Sequence, residues 1–195
     1  MHGVLYPDPL HSIQLCPTGT DVVTKRLVKA IKDSVSGVSK SLEADLSEGI
    51  TVENAVVRYA TVCPKGSPLG ALAKTVQVRL RHATYIVNPA TAAECFLDDT
   101  DTTDDDLTLP HMILRALLVS DCVVRRDLAS NIVVSGGGAC IPGTLERLAQ
   151  EMVSLLEKDT RYTPLLPLRP HIRFFMGNTQ RNQLAYMGCS VAVGS

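Results

Sequence analysis

At 195 residues, 45% of them hydrophobic, the chain is long enough to bury a substantial core as one domain with room for a smaller lobe. Twenty acidic against 19 basic residues leave a net charge of −1, which gives no electrostatic footprint for nucleic acid, and no basic amphipathic stripe or long apolar run argues for a membrane. Aromatic residues make up 4% of the chain and Trp is missing, so packing must rest on Val, Leu, Ile and Ala.

In chain order, Ser12–Leu15 alternates like a short strand and Cys16-Pro17-Thr18-Gly19-Thr20 reads as a turn with capping residues. From Asp21, Val22, Leu27, Val28 and Ile31 recur at near-helical spacing with Lys25, Arg26, Lys29 and Lys32 between them. That pattern predicts an amphipathic helix whose basic face is solvated. Residues 34–48 are punctuated by Ser and Gly, as in a loop or short helix, and Val52–Val57 reads as a helix feeding a β-rich run from Arg58 to Val62. Pro64–Pro68 reads as loop, and Thr75–Leu80 with Thr84–Val87 as a hairpin around Arg81-His82-Ala83. Six Asp between residues 98 and 106 repel one another and bury nothing apolar, which predicts a mobile loop; an EF-hand reading lacks the Gly and terminal Glu that calcium ligation requires.

Downstream, Leu109-Pro110 opens an apolar helix expected to be buried, followed by a short helix from Val123 to Ala129. The charges of Arg125-Arg126-Asp127 are read as holding helix ends. The segment from Gly143 to about Lys158 carries Leu145, Leu148, Met152, Leu155 and Leu156 on one face. Tyr162–Pro170 reads as a Pro-rich connection to a last strand and helix. The six cysteines (Cys16, Cys63, Cys95, Cys122, Cys140, Cys189) are scattered, with no Cys-x-x-Cys and no Cys/His cluster at metal-ligand spacing. The first residues lack the charged and apolar regions of a signal peptide. The thiols are therefore expected to be reduced and mostly buried, in the cytosol or nucleus.

The most informative stretch runs from Asn131 to Gly143: an apolar run, three glycines at Gly136, Gly137 and Gly138, then Ile141-Pro142-Gly143 before the amphipathic segment. It reads as strand, backbone-exposing loop and helix, because glycines let another group approach the main chain and Pro suits a helix opening. No Gly-Lys-Ser/Thr follows, the spacing is not that of a dinucleotide loop, and no Gly-x-Ser-x-Gly supplies a nucleophile. On the glycines alone, a tight turn between packed elements and a ligand cradle are equally open.

The wider string Arg126-Asp127-Leu128-Ala129-Ser130-Asn131, the apolar run, Ser135-Gly136-Gly137 and Pro142-Gly143 resembles the actin family, in which this pattern underlies the adenine and ribose of a nucleotide. Gly19-Thr20-Asp21-Val22 resembles the family's Gly-Arg-Asp-Leu turn, and Ile172–Phe175 followed by Ala185–Ser190 resembles its last strand and helix start. The resemblance covers most of this chain but only the second half of the family's fold; the two phosphate hairpins lie upstream of the matched motifs, as in a fragment or a shortened family member. It implies an α/β fold, the C-terminal half of an actin-like (ribonuclease H-like ATPase) architecture with a mixed sheet flanked by helices. Residues 1–18 and 107–195 would form the large-lobe subdomain and 19–106 an inserted smaller one carrying the acidic loop.

The resemblance also places a degenerate nucleotide site at Gly19, Ser135, Gly136, Gly137, Gly138, Ile141 and Asn182. Where the family has a Lys-Glu pair on the clasping helix, this chain has Val56 and Val57; the family's base-flanking Lys becomes Asn182, beside Arg181. Loss of the ribose-binding carboxylate and of the phosphate hairpins implies weak or absent ATP or ADP binding, no metal held by this chain, and no catalysis. Val57–Val62 and Ala93–Asp99 look most like the pointed-end actin-related protein of dynactin. That likeness implies a non-catalytic capping subunit of an actin-like filament in the cytoplasm and cytoskeleton, with actin-like proteins and cytoskeletal subunits as partners and no direct contact with nucleic acid or membrane. A nuclear actin-related subunit of a chromatin-remodelling complex and a truncated actin-fold ATPase are the alternatives. The truncated lobe is also expected to expose the surface that normally packs on its partner.

Overall fold

The computed structural model describes residues 20–35, 40–47, 49–65, 75–88, 108–175 and 180–193. The strand at Ser12–Leu15, the Gly19 turn, the acidic tract 98–106, Cys16 and Cys95 lie outside these residues.

Helix α1 (Thr20–Asp33) buries Val23, Leu27 and Ile31, one row at a spacing of four residues. The stripe is thus centred on Val23, with Val22 and Val28 half-buried beside it. A short helix α2 (Lys40–Ser47) leads to α3 (Gly49–Tyr59), which buries Val52, Ala55 and Val56 against α1. Arg58 and Tyr59 therefore end a helix and do not begin a strand; their β-prone neighbours lose to the spacing Val52, Ala55, Val56, Tyr59, which lays one apolar stripe on the core.

Strands β1 (Val76–Arg79) and β2 (Thr84–Val87) pair antiparallel, Val76 with Val87 and Arg79 with Thr84. Val78, Tyr85 and Val87 face the core while Gln77, Arg79, Thr84 and Ile86 face out, the alternation of a half-covered sheet. The hairpin is seated on α2 by the fully buried Asp45, whose carboxylate accepts the His82 amide at 2.9 Å and the Tyr85 hydroxyl at 3.3 Å. Burial, and then the negative charge and hydrogen bond of Asp45, push the Tyr85 phenol above its ordinary pKa.

In the second half, α4 (Leu109–Val119) buries Pro110, His111, Leu114 and Leu117, so its cover is one-sided, with Val119 in solvent. Arg125 of α5 (Arg125–Ser130) reaches back to the Leu118 and Ser120 carbonyls at 2.8 and 2.9 Å and closes the end of α4. Helix α6 (Thr144–Lys158) packs Leu145, Leu148, Met152 and Leu156 against α4 and against a 3-10 helix spanning Thr160–His171. The Pro-rich connection is thus regular: Tyr162 and Leu165 are buried and Leu168 half-buried, while Pro164, Pro167 and Pro170 form an exposed row. The Tyr162 hydroxyl lies 2.9 Å from the His111 ring in the interior.

Asp159 opens this 3-10 helix, accepting the Arg161 amide at 2.9 Å and the Arg161 guanidinium at 2.8 Å. The guanidinium foremost, with the backbone donor and the His111 ring, holds the Asp159 carboxyl below the usual carboxylate range. A depressed folded-state pKa adds stability above the unfolded value, and that stability is lost as pH falls through the folded one. Asp159→Asn keeps a capping oxygen and removes the charge, so it is expected to cost about 0.5 kcal/mol at neutral pH through the solvent-screened ion pair with Arg161. In urea titrations the gap from wild type should narrow between about pH 5 and about pH 3; a gap independent of pH would refute the assignment.

The α/β class holds, with a smaller sheet than the sequence implies. Among the described residues there is one two-stranded sheet plus a parallel bridge between Ile132 and Phe174. Asn131 is spent on capping α5, through its amide to Leu128 and its Nδ2 to Asp127, and Gly136 turns the chain at φ +104°. The thiols also depart from expectation: Cys63 is buried, but Cys122, Cys140 and Cys189 are exposed.

Candidate functional site

The chain after Gly136 closes a 3-10 turn, Gly138–Cys140, through hydrogen bonds from Ala139, Cys140 and Ile141 to the carbonyls three residues back, at 3.0–3.2 Å. Gly143, at φ +84°, then redirects the chain into α6. Two ties fix this loop in place. The Gly136 amide donates to the Arg181 carbonyl at 3.1 Å, and the Arg181 guanidinium reaches the Ala139 carbonyl at 3.3 Å. The residues before α7 (Leu184–Val193) are thereby drawn over the glycines.

A cleft of about 390 Å³ opens between this loop, α1 and α3. Val56, Val57, Ile141 and Cys140 supply its apolar lining, and Thr24, Glu53 and Asn182 its polar groups, with Gly137 at the wall. Of the residues assigned from sequence, Gly137, Ile141 and Asn182 meet here with Val56 and Val57. Gly136 and Gly138 shape the loop beside the cleft without lining it, Ser135 is exposed ahead of the turn, and Gly19 lies outside the described residues. Gly137 has an ordinary backbone (φ −62°), and a Cβ built there would meet no atom within 4 Å. Packing therefore does not require glycine at this position; its effect is to leave open cleft beside the main chain.

Sequence reasoning missed Glu53, Thr24 and Cys140. Glu53 was legible, because it precedes Val56 and Val57 by three and four residues and so shares their helix face. The carboxylate expected to be lost from the clasping helix is thus replaced, about one turn earlier, by another. The apolar lining with a carboxylate, an amide and a hydroxyl suits a base and its ribose. It suits phosphates poorly, since the only ionisable side chain apart from the Cys140 thiol among these lining residues is the anion Glu53. No cluster of three or more His, Cys, Asp or Glu among the described residues forms a metal cage.

Apolar side chains also stand in solvent around the end of the chain. Tyr186 and Val191 on α7 are 76% and 69% exposed, and Val133 and Phe175 flank the parallel bridge at 60% and 53%. No described helix is long and apolar enough to cross a membrane.

The glycine loop leads into α6 and faces α1 and α3 across the cleft, and comparison with known proteins gives the family. The chain belongs to the actin family, whose model, described as Actin, matches residues 16–193. Over 88 residues the chain is 33% identical to the "SWI/SNF and RSC complexes subunit arp42" of Schizosaccharomyces pombe. That stretch is 45% of this chain and 20% of the relative. These matches support the family and no dynactin-specific likeness.

Proposed function

We propose that this chain is a non-catalytic actin-related protein that works as an assembly subunit of a multiprotein complex of the chromatin-remodelling kind, with actin-like proteins as neighbours. The observation that carries the reading is the cleft lining: apolar where a base would lie, with Glu53 and no cationic side chain among the described residues that line it. Such a lining offers a nucleoside shelf without the groups that position phosphate, metal and water for hydrolysis. Similarity to a fission yeast subunit of the SWI/SNF and RSC complexes supports the remodelling-complex reading over a cytoskeletal one.

Two measurements test this. Affinity purification of the tagged chain, with mass spectrometry of what accompanies it, is expected to recover remodelling-complex subunits; recovery of dynein-adaptor subunits in their place would overturn the nuclear reading. In calorimetry, Mg-ATP is expected to bind no more tightly than adenosine. Gly137→Ala, whose added Cβ meets no protein atom within 4 Å, should weaken adenosine binding without lowering the unfolding midpoint. Turnover of ATP by the purified chain would refute the non-catalytic assignment.

A further inference from the structure

The 3-10 helix from Thr160 to His171 presents two of its three lines of side chains to solvent. Tyr162 and Leu165 are buried on the third, whereas Pro164, Pro167 and Pro170 stand exposed in one line and Leu166 and Arg169 in the next. As a hydrogen-bonded ladder the segment is weakened by its prolines. Pro167 and Pro170 have no amide to give the carbonyls of Pro164 and Pro167 three residues back. A polar residue at those exposed places would keep the bond and suit water better. What the prolines add is a stiff ridge of pyrrolidine rings about 6 Å apart, one per turn. The ridge also has a charged end. The segment carries Arg161, Arg169 and His171 and no carboxylate. Arg169 pairs with Glu157 of α6 at 2.7 Å, but the two side chains are 54% and 44% exposed. Such a pair is screened and contributes little, so a carboxylate from outside can take the place of Glu157 at small cost.

We propose that this ridge is the docking face for an α-helix of a partner protein that carries aromatic side chains at every fourth position and a carboxylate at the Arg169 end. Pitch decides the form of the partner. Residues four apart on an α-helix rise by about 6 Å and share one face, which is the repeat of the proline rings, so ring stacks on ring along the line. Aromatic faces suit pyrrolidine better than aliphatic side chains do, because their negative π-surface meets the partial positive charge of the ring C–H groups. A groove built for polyproline II needs rings about 9 Å apart. Drawing the ridge out to that repeat would pull Tyr162 and Leu165 from the core. The carboxylate completes the fit through a charge-assisted hydrogen bond to the Arg169 fork. The proposal rests on the assembly reading for the existence of a partner, and it concerns a face apart from the cleft.

The full chain is titrated with a lactam-stapled helical peptide bearing Trp at three positions four apart and Glu one turn beyond the end Trp, and binding is mapped from the Leu166 and Arg169 amide resonances. Saturable binding at the ridge is expected. Pro167→Ala should weaken it about fivefold or more, and Arg169→Glu about tenfold. A peptide with Lys in place of its Glu should restore affinity for the Arg169→Glu variant, a rescue that a merely structural role would not give. Both positions are exposed, so circular dichroism of the variants should match wild type. The proposal is overturned by non-saturable binding, by equal affinity for a peptide of the same residues in scrambled order, by shifts at α7 in place of the ridge, or by tighter binding of an SH3 domain, which reads the longer repeat. A Pro167→Ala variant with a lowered unfolding midpoint and unchanged affinity would mark the prolines as stiffeners of the fold and overturn it too. None of these outcomes bears on the complex recovered with the tagged chain or on adenosine binding, because no ridge residue is among the described residues that line the cleft.

Discussion

Gly143→Ala is expected to be the most damaging change among the four glycines Gly136, Gly137, Gly143 and Gly188, costing roughly 3–4 kcal/mol. Two effects combine. The residue sits at φ +84°, where an L side chain costs about 1–2 kcal/mol. A Cβ there would also fall on the Val62 carbonyl oxygen, a backbone atom that cannot swing aside. Moving it would break the 2.9 Å hydrogen bond from the Val62 amide to Pro142, the backbone tie between the two halves of the chain at this point. Gly136→Ala is the internal control, since φ is +104° there but nothing lies within 4 Å of the added carbon. Urea unfolding midpoints of the two variants separate strain from overlap; a Gly143 variant no worse than its Gly136 counterpart would show that the contact is not limiting.

Arg147→Met is the second large effect, at about 3 kcal/mol. Arg147 and Glu151 of α6 are buried, joined by a 2.6 Å charged hydrogen bond, and the guanidinium also donates to the Cys63 carbonyl at 2.9 Å. Lys65 completes the group through its ammonium on Glu151 and its amide on Gln150. Methionine fills the space but leaves a buried carbonyl without this donor and Glu151 with only its half-exposed lysine partner. Removing the second charge as well, in Arg147→Met with Glu151→Leu, should recover much of the loss, because an uncompensated buried charge costs more than an apolar pair. The double-mutant cycle measures this directly, and additive losses would mean that the two residues act separately.

These two sites show what the sequence made legible and what it hid. Leu148, Met152 and Leu156 were visible as a helical face, and the hairpin as alternation from Val76 to Val87, because burial imposes a period on each. The glycine loop could be assigned by its family pattern. The Arg147–Glu151 tie reads in sequence as an ordinary exposed i, i+4 pair; only the approach of Cys63 and Lys65, more than 80 residues away, buries it. Glu53 lies outside the two positions where the family keeps its charges, yet the helix carries it on the same face about one turn earlier. The strand expected before Gly136 is a single bridge from Ile132 to Phe174, and Asn131 ahead of it caps the preceding helix.

The 3-10 helix from Thr160 to His171 sets a rule for how this segment can change length. With three residues per turn, Tyr162, Leu165 and Leu168 share the inner row and the prolines the outer one. Adding one residue rotates everything downstream by about a third of a turn, sending proline inward and leucine into water, and deleting one brings the row of Leu166 and Arg169 inward instead. A gain or loss of three residues leaves every row in place. Tolerated length variation here should therefore come in whole triplets, a metre that an insertion series between Thr163 and Pro170 would reveal.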